Sequence, residues 1–94
     1  SDWSGGSLSP TAASVSVRGR VSDSNGAPIP RISVTLTDAN GQRRRAISNA
    51  FGNYEFSGVP VGGGYVLTVV GKGYEFNPQV LNVDQDTIVN PVAN

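Results

Sequence analysis

From Ser14 onward, apolar and polar residues alternate with a period of two, the spacing that sends successive side chains to opposite faces of an extended strand. In 14-SVSVRGRVSD-23, Val15, Val17 and Val21 share one face and Ser16, Arg18 and Arg20 the other. Gly19 falls at an inward position, where it permits a bulge or a close backbone approach. The segment 24-SNGAPIP-30 then interrupts the run, because Asn and Gly tolerate positive φ and Pro cannot continue a ladder. A second alternating strand, 31-RISVTLTD-38, places Ile32, Val34 and Leu36 inward and Ser33, Thr35 and Thr37 outward, before 38-DANG-41 repeats the turn chemistry. The polar run 42-QRRRAISN-49 predicts a strand near a sheet edge, where charge discourages pairing with other molecules. A turn around Gly52 follows, then a short strand 53-NYEFS-57 with Tyr54 and Phe56 on one face, and a break from Gly58 to Pro60. The most apolar segment, 65-YVLTVVG-71, predicts a central strand; 79-QVLNV-83 and 87-TIVNPV-92 predict two more.

No window carries apolar residues at helical spacing, and Gly or Pro interrupts nearly every candidate. About seven short strands at spacings of roughly 8 to 12 residues predict an all-β chain folded as an antiparallel seven-stranded β-sandwich. Its inward Val, Ile, Leu and aromatic positions suffice for one core, assigned to residues 14–94. The Ser- and Gly-rich start, 1-SDWSGGSLSPTA-12, has no periodicity; residues 1–13 are expected to be a flexible N-terminal linker or a cloning remnant, with Trp3 a loosely held tail residue.

Length agrees, since 94 residues accommodate one compact domain. Seven basic and seven acidic side chains cancel, which gives no reason to expect nucleic acid or an anionic membrane as partner. The first fifty residues carry a charge of +3 and the remainder −3, a dipole unless the strands of the two halves interleave. The chain has no Cys and no His, which removes disulfides, the usual zinc ligand sets and Ser-His or Cys-His nucleophile pairs. No apolar run approaches the roughly 20 residues that cross a bilayer as a helix, and membrane insertion is not expected.

Four groups of residues invite a chemical reading. The glycines Gly52, Gly58 and 62-GGG-64 do not precede a helix and match no phosphate-binding spacing, so they are assigned to turns, and no cofactor is expected. Asp84 and Asp86, with Asn82 and Asn90 nearby, offer oxygen ligands to a cation such as Ca²⁺, but the 12-residue EF-hand spacing is absent and they are assigned to a solvated turn, with no metal expected. Arg18, Arg20, Arg43 and Arg45, near Arg31 and Arg44, form a candidate ligand face for an acidic glycan or phosphate group; the plainer alternative is a solvated strand edge. Among the aromatics that could stack on a sugar, Tyr54 and Tyr65 have inward phase and are assigned to the core. Tyr74 is expected to close a sandwich end, with its hydroxyl reaching backbone, and Phe51, in its turn, either caps the sandwich or lies exposed.

The succession 19-GRVSDSNGAPIP-30, 32-ISVTLTDANG-41, 48-SNAFGNYEFSGVPVGGGYVLTV-69 and 71-GKGYEFNPQ-79 resembles the carboxypeptidase regulatory-like domain, whose fold is the transthyretin-like (prealbumin-like) β-sandwich. The match keeps the order of the family's Asp-x-x-Gly-x-Pro turn, its polar-x-x-Gly-x-Tyr-x-Phe strand, its Pro-x-Gly-x-Tyr-x-Leu-x-Val strand and its Gly-Tyr. Arg31 stands where the family often has a small glycine. The resemblance implies a module without catalytic residues, acting as a spacer, stalk or adhesion unit of a larger exported bacterial-type protein. It implies a periplasmic, secreted or cell-surface location and neighbouring domains as partners; a carbohydrate- or surface-ligand-binding module is the alternative. Related surface sandwiches can join an early-strand Lys to a late Asn by an isopeptide bond. Here Lys72 is the one Lys, Asn90 and Asn94 are the late acceptors, and the early-strand positions hold Arg18 and Arg20, so the bond is not expected. A purine-pathway hydrolase of the same fold needs histidines and a C-terminal Tyr-Arg-Gly-Ser, whereas this chain has no His and ends 91-PVAN-94.

Overall fold

A computed structural model describes residues 14–94, and the linker expected over residues 1–13, with Trp3, lies outside the described residues. Seven strands succeed one another: β1 (Ser14–Arg20), β2 (Ser33–Thr37), β3 (Arg43–Ile47), β4 (Asn53–Pro60), β5 (Gly63–Val70), β6 (Gln79–Val83) and β7 (Thr87–Ile88). They form two sheets, one ordered β4-β1-β7 and the other β3-β2-β5-β6. The apolar β5 is central and the Arg-rich β3 lies at an edge, as their compositions predict. Val17, Val34, Leu36, Tyr54, Phe56, Val59, Tyr65, Leu67 and Val83 are buried in one cluster between the sheets.

Three of the connections use one turn formula. In Asp23–Ala27, Asp38–Gln42 and Asn49–Asn53, the first residue's N–H donates to the carbonyl four residues on, and the fourth residue, a glycine, returns a bond to the first residue's carbonyl. The first side chain accepts the N–H groups of the third and fifth residues at 2.9–3.0 Å. Short Asx side chains satisfy turn donors that a strand ladder cannot reach. The glycines Gly26, Gly41 and Gly52 take φ of 86°, 86° and 80°, where a Cβ would be strained.

β4 runs three residues further than the sequence break at Gly58 suggests. Val15 pairs with Val59 and Val17 with Phe56, so Ser57 and Gly58 together oppose Ser16. Gly58, at φ 66°, absorbs the extra residue as a bulge. The bulge shifts the phase of alternation by one, which turns Val59 inward where strict periodicity would have put Gly58.

All pairings but one are antiparallel. β7 runs parallel to β1, with Val17 opposite Thr87 and Arg18 opposite Ile88, and Ser22 makes a further parallel bridge to Val92. β1 therefore starts beside the end of β4 at one pole of the sandwich, where Ser14 meets Pro60. The last residues emerge at the other pole, where the Ala93 N–H donates to the Ser22 carbonyl and the Asn94 N–H to the Glu75 carbonyl.

Arg31 takes φ 58°, the one non-glycine residue in the left-handed region among those described. It is held there by Ser48: the Arg31 N–H donates to the Ser48 carbonyl at 2.9 Å, while the buried Ser48 hydroxyl donates to the Ile29 carbonyl and accepts the Ile32 N–H, both at 2.8 Å. Glycine at this position would meet the same geometry without strain, which explains the family habit from which this chain departs.

Candidate functional site

The outer face of the β4-β1-β7 sheet carries the polar phase of each strand. Arg18 lies across from Glu55, and Arg20 across from Asn53. Ile88 and Asn90 border β1 on its other side, and Arg45 reaches over from the edge strand β3. Together they line an open groove of about 780 Å³. Arg18, Arg20 and Arg45 line it together with one acidic residue, Glu55, so the residues around it carry net positive charge. Two of the guanidinium groups have only neutral partners nearby: Arg20 Nη2 donates to the Gly26 carbonyl at 3.3 Å, and Arg45 Nε to the Ser33 hydroxyl at 3.0 Å. Neither contact cancels the charge of its guanidinium group.

The structure thus brings together Arg18, Arg20 and Arg45 from the predicted face. Arg43 sits on β3 opposite Thr37, away from the groove lining. Sequence reasoning missed Glu55, Asn53 and Ile88, and grouped Asn90 with the acidic pair and not with the arginines. The first two share the outward phase of β4 with Arg18 and Arg20 on β1, a signal present in the alternation once the pairing is known; Asn90 and Ile88 depend on the parallel placement of β7. The pairing of Arg18 with Glu55 also shows that the two oppositely charged halves interleave, and they do not occupy separate faces.

The remaining candidates have structural surroundings. Asp86 Oδ1 accepts the Ser16 N–H at 2.9 Å, beside the β4 bulge. Asn90 Oδ1 accepts the Arg20 N–H at 3.0 Å, about 13 Å further along β1 at the usual strand rise, so Asn90 does not join Asp86 in one ligand set. Among the described residues no three Asp or Glu side chains gather closely enough to hold a metal ion. Lys72 is exposed in the turn after β5, whereas Asn90 is engaged by the Arg20 backbone and Asn94 lies against Asn77. The Tyr54 hydroxyl donates to the Val89 carbonyl at 2.6 Å, and the Tyr65 hydroxyl to the Pro60 carbonyl at 2.7 Å. Burial pushes the Tyr54 phenol well above its ordinary range, so it acts as a neutral hydrogen-bond donor. Tyr74 stays 42 % exposed beside Gly73, Glu75 and Asn94, and Phe51 is 71 % exposed at its turn tip. No helix among the described residues is long and apolar enough to cross a membrane.

The family model of the carboxypeptidase regulatory-like domain matches residues 16–93. The chain belongs to this family. A comparison with curated protein sequences finds no match. Among solved structures, the carboxypeptidase regulatory-like domain described here is similar to BcpA, the major pilin subunit of Bacillus cereus, with a TM-score of 0.73 and 18 % identity over 93 % of this chain and 31 % of that one. It is similar to chlorocatechol 1,2-dioxygenase from Pseudomonas putida, with a TM-score of 0.67 and 9 % identity over 87 % of this chain and 60 % of that one. It is also similar to a candidate carbohydrate-binding protein from Pseudomonas aeruginosa, with a TM-score of 0.63 and 13 % identity over 86 % and 89 % of the two chains. The chain spans about a third of the length of the pilin. At these identities the likeness is one of fold, and the three proteins differ in what they do.

Proposed function

We propose that this domain is a non-catalytic, in-line structural module of a larger exported, cell-surface protein, of the spacer, stalk or adhesion kind. The observation that carries the reading is polarity. The chain enters at the pole where Ser14 meets Pro60 and leaves at the pole where Ala93 and Asn94 bond to Ser22 and Glu75. Neighbouring domains attached at the two ends are thereby held apart by the length of the sandwich, about 26 Å between Ser14 and Ser22 at the usual strand rise. The family membership and the likeness to a pilin subunit support a module that transmits position and performs no chemistry. Residues 1–13 serve in this reading as the tether to the preceding unit. Tandem copies of the full chain test it: small-angle scattering should show maximum dimension growing linearly with copy number. Copies that fold back into a compact cluster would overturn it.

A second reading rests on the groove of Arg18, Arg20 and Arg45, which suits a carboxylate- or sulfate-bearing surface glycan. Binding of acidic and neutral oligosaccharides to the domain and to its Arg18→Ser and Arg20→Ser variants separates the two. Saturable, Arg-dependent binding of the acidic set establishes the second reading; no binding leaves the groove a solvated face.

A further inference from the structure

The two residues of β7 that pair with β1 are the visible part of a longer ladder. Val17 faces Thr87, Arg18 faces Ile88 and Ser22 faces Val92, all at a sequence offset of 70. Two side-chain bonds keep the same offset: the Ser16 N–H donates to Asp86 Oδ1 and the Arg20 N–H to Asn90 Oδ1. Between and beyond them, the Val89 N–H donates to the Arg18 carbonyl at 2.9 Å, the Ser22 N–H to the Pro91 carbonyl at 3.0 Å and the Ala93 N–H to the Ser22 carbonyl at 2.9 Å. The register holds from Ser16 to Ser22 without a slip.

The side-chain bonds fall where the backbone cannot serve. A parallel ladder would have the Arg20 N–H donate to the Val89 carbonyl and the residue-91 N–H donate back to the Arg20 carbonyl. Residue 91 is proline and has no N–H. The Val89 carbonyl is turned inward to the Tyr54 hydroxyl, over Gly19, where any Cβ would overlap it. Asn90 Oδ1 takes the place of that carbonyl and closes the gap. At the opposite end Asp86 does the same for Ser16, beside the bulge.

We propose that this first-to-last-strand ladder is a mechanical clamp, and that the domain bears tension applied through its two ends. The proposal rests on the in-line reading for its use, and its physical content lies in direction. β1 and the terminal segment run parallel and continue to opposite poles. Tension on the ends slides one along the other, so all their bonds are loaded together, in shear. Tension applied to both segments at one pole would instead open the same bonds one after another. A domain whose resistance lay in its core and not in this ladder would show no such preference for direction.

Single-molecule force spectroscopy on the full chain tests this. Handles at the N- and C-termini load the ladder in shear; handles at the C-terminus and at Cys introduced by Asn25→Cys, in the loop at the pole where the chain ends, peel it. The unfolding force should be several-fold higher end to end than in the peeling geometry. Asn90→Ala should lower the end-to-end force and leave the peeling force little changed, and Asn90→Asp, which keeps an oxygen acceptor, should restore it. Equal forces in the two geometries, or an Asn90→Ala loss of the same factor in both, would overturn the clamp. Tandem copies pulled in the same instrument give the folded length per copy before rupture. A length that fails to grow with copy number would remove the in-line reading and leave the anisotropy standing, so the two failures are distinguishable.

Discussion

The two sheets of this sandwich are built on different principles. In β3-β2-β5-β6, β2 and β3 are joined by a five-residue Asx turn, all three pairings are antiparallel, and the outer face carries Arg43, Arg45 and Ile47 of β3 beside Ser, Thr and Val residues of β2 and β5. In β4-β1-β7, strands far apart in sequence meet, one pairing is parallel, and side chains complete the hydrogen bonding: Asp86 to Ser16, Asn90 to Arg20 and Tyr54 to Val89. Where the backbone ladder is complete, outward side chains are free to vary; where it is interrupted, particular side chains are required. The second sheet therefore concentrates both the groove and the residues least replaceable by others.

Glycine substitution should separate the sheets most sharply. Gly19→Ala places a Cβ on the Val89 carbonyl and should cost about 3 kcal/mol, because the C-terminal segment must move away from β1. Gly64→Ala, in β5 of the other sheet, meets open space and should stay within about 0.5 kcal/mol. Urea denaturation of both variants measures the difference; similar midpoints would mean the sheets are equally tolerant.

The tyrosine hydroxyls give a smaller contrast. Tyr54→Phe strands the buried Val89 carbonyl and should cost about 1 to 2 kcal/mol. Tyr65→Phe frees a part-buried carbonyl that water can reach, and should cost about 1 kcal/mol or less. The same hydroxyl sets an alkaline limit. Since burial raises the Tyr54 pKa, the folded chain keeps a proton that the unfolded chain releases; this contribution is present below about pH 10 and is lost as pH rises above it. Chemical denaturation across that range should show a decline that Tyr54→Phe reduces, and an unchanged slope in the variant would mean another group is responsible.

The smallest effect lies in the loop that passes between the sheets. Arg31→Gly removes left-handed strain at φ 58° and should raise stability by up to about 1 kcal/mol, offset in part by the greater freedom of glycine in the unfolded chain. A thermal melt that falls instead would show that the Arg31 side chain contributes more than its backbone strain costs.

Much of the fold is legible in the residues because alternation is local. Val34 and Leu36 on β2, Leu67 on β5 and the edge character of 43-RRR-45 follow from neighbours in sequence. The turn formula is legible too, once Asp23, Asp38 and Asn49 are seen each to stand three residues before a glycine. Less of the candidate site is readable. Arg18 and Arg20 share a face by phase alone, but Arg45 joins them, and Arg43 does not, through the meeting of β3 with the other sheet. The extension of β4 past Gly58 was hidden because a bulge changes phase without changing composition.

By itself the sequence determined an all-β sandwich, its core-facing residues and its turns, since period-two burial and Asx-Gly chemistry act over a few residues. Only the tertiary structure decided that the last strand runs parallel to the first, that Asn90 replaces a backbone carbonyl and that the chain leaves at the pole opposite its entry. These depend on contacts between residues 70 apart, and their cause is the joint demand to bury Val89 against the core and to satisfy the Arg20 N–H where the Val89 carbonyl turns away to the Tyr54 hydroxyl.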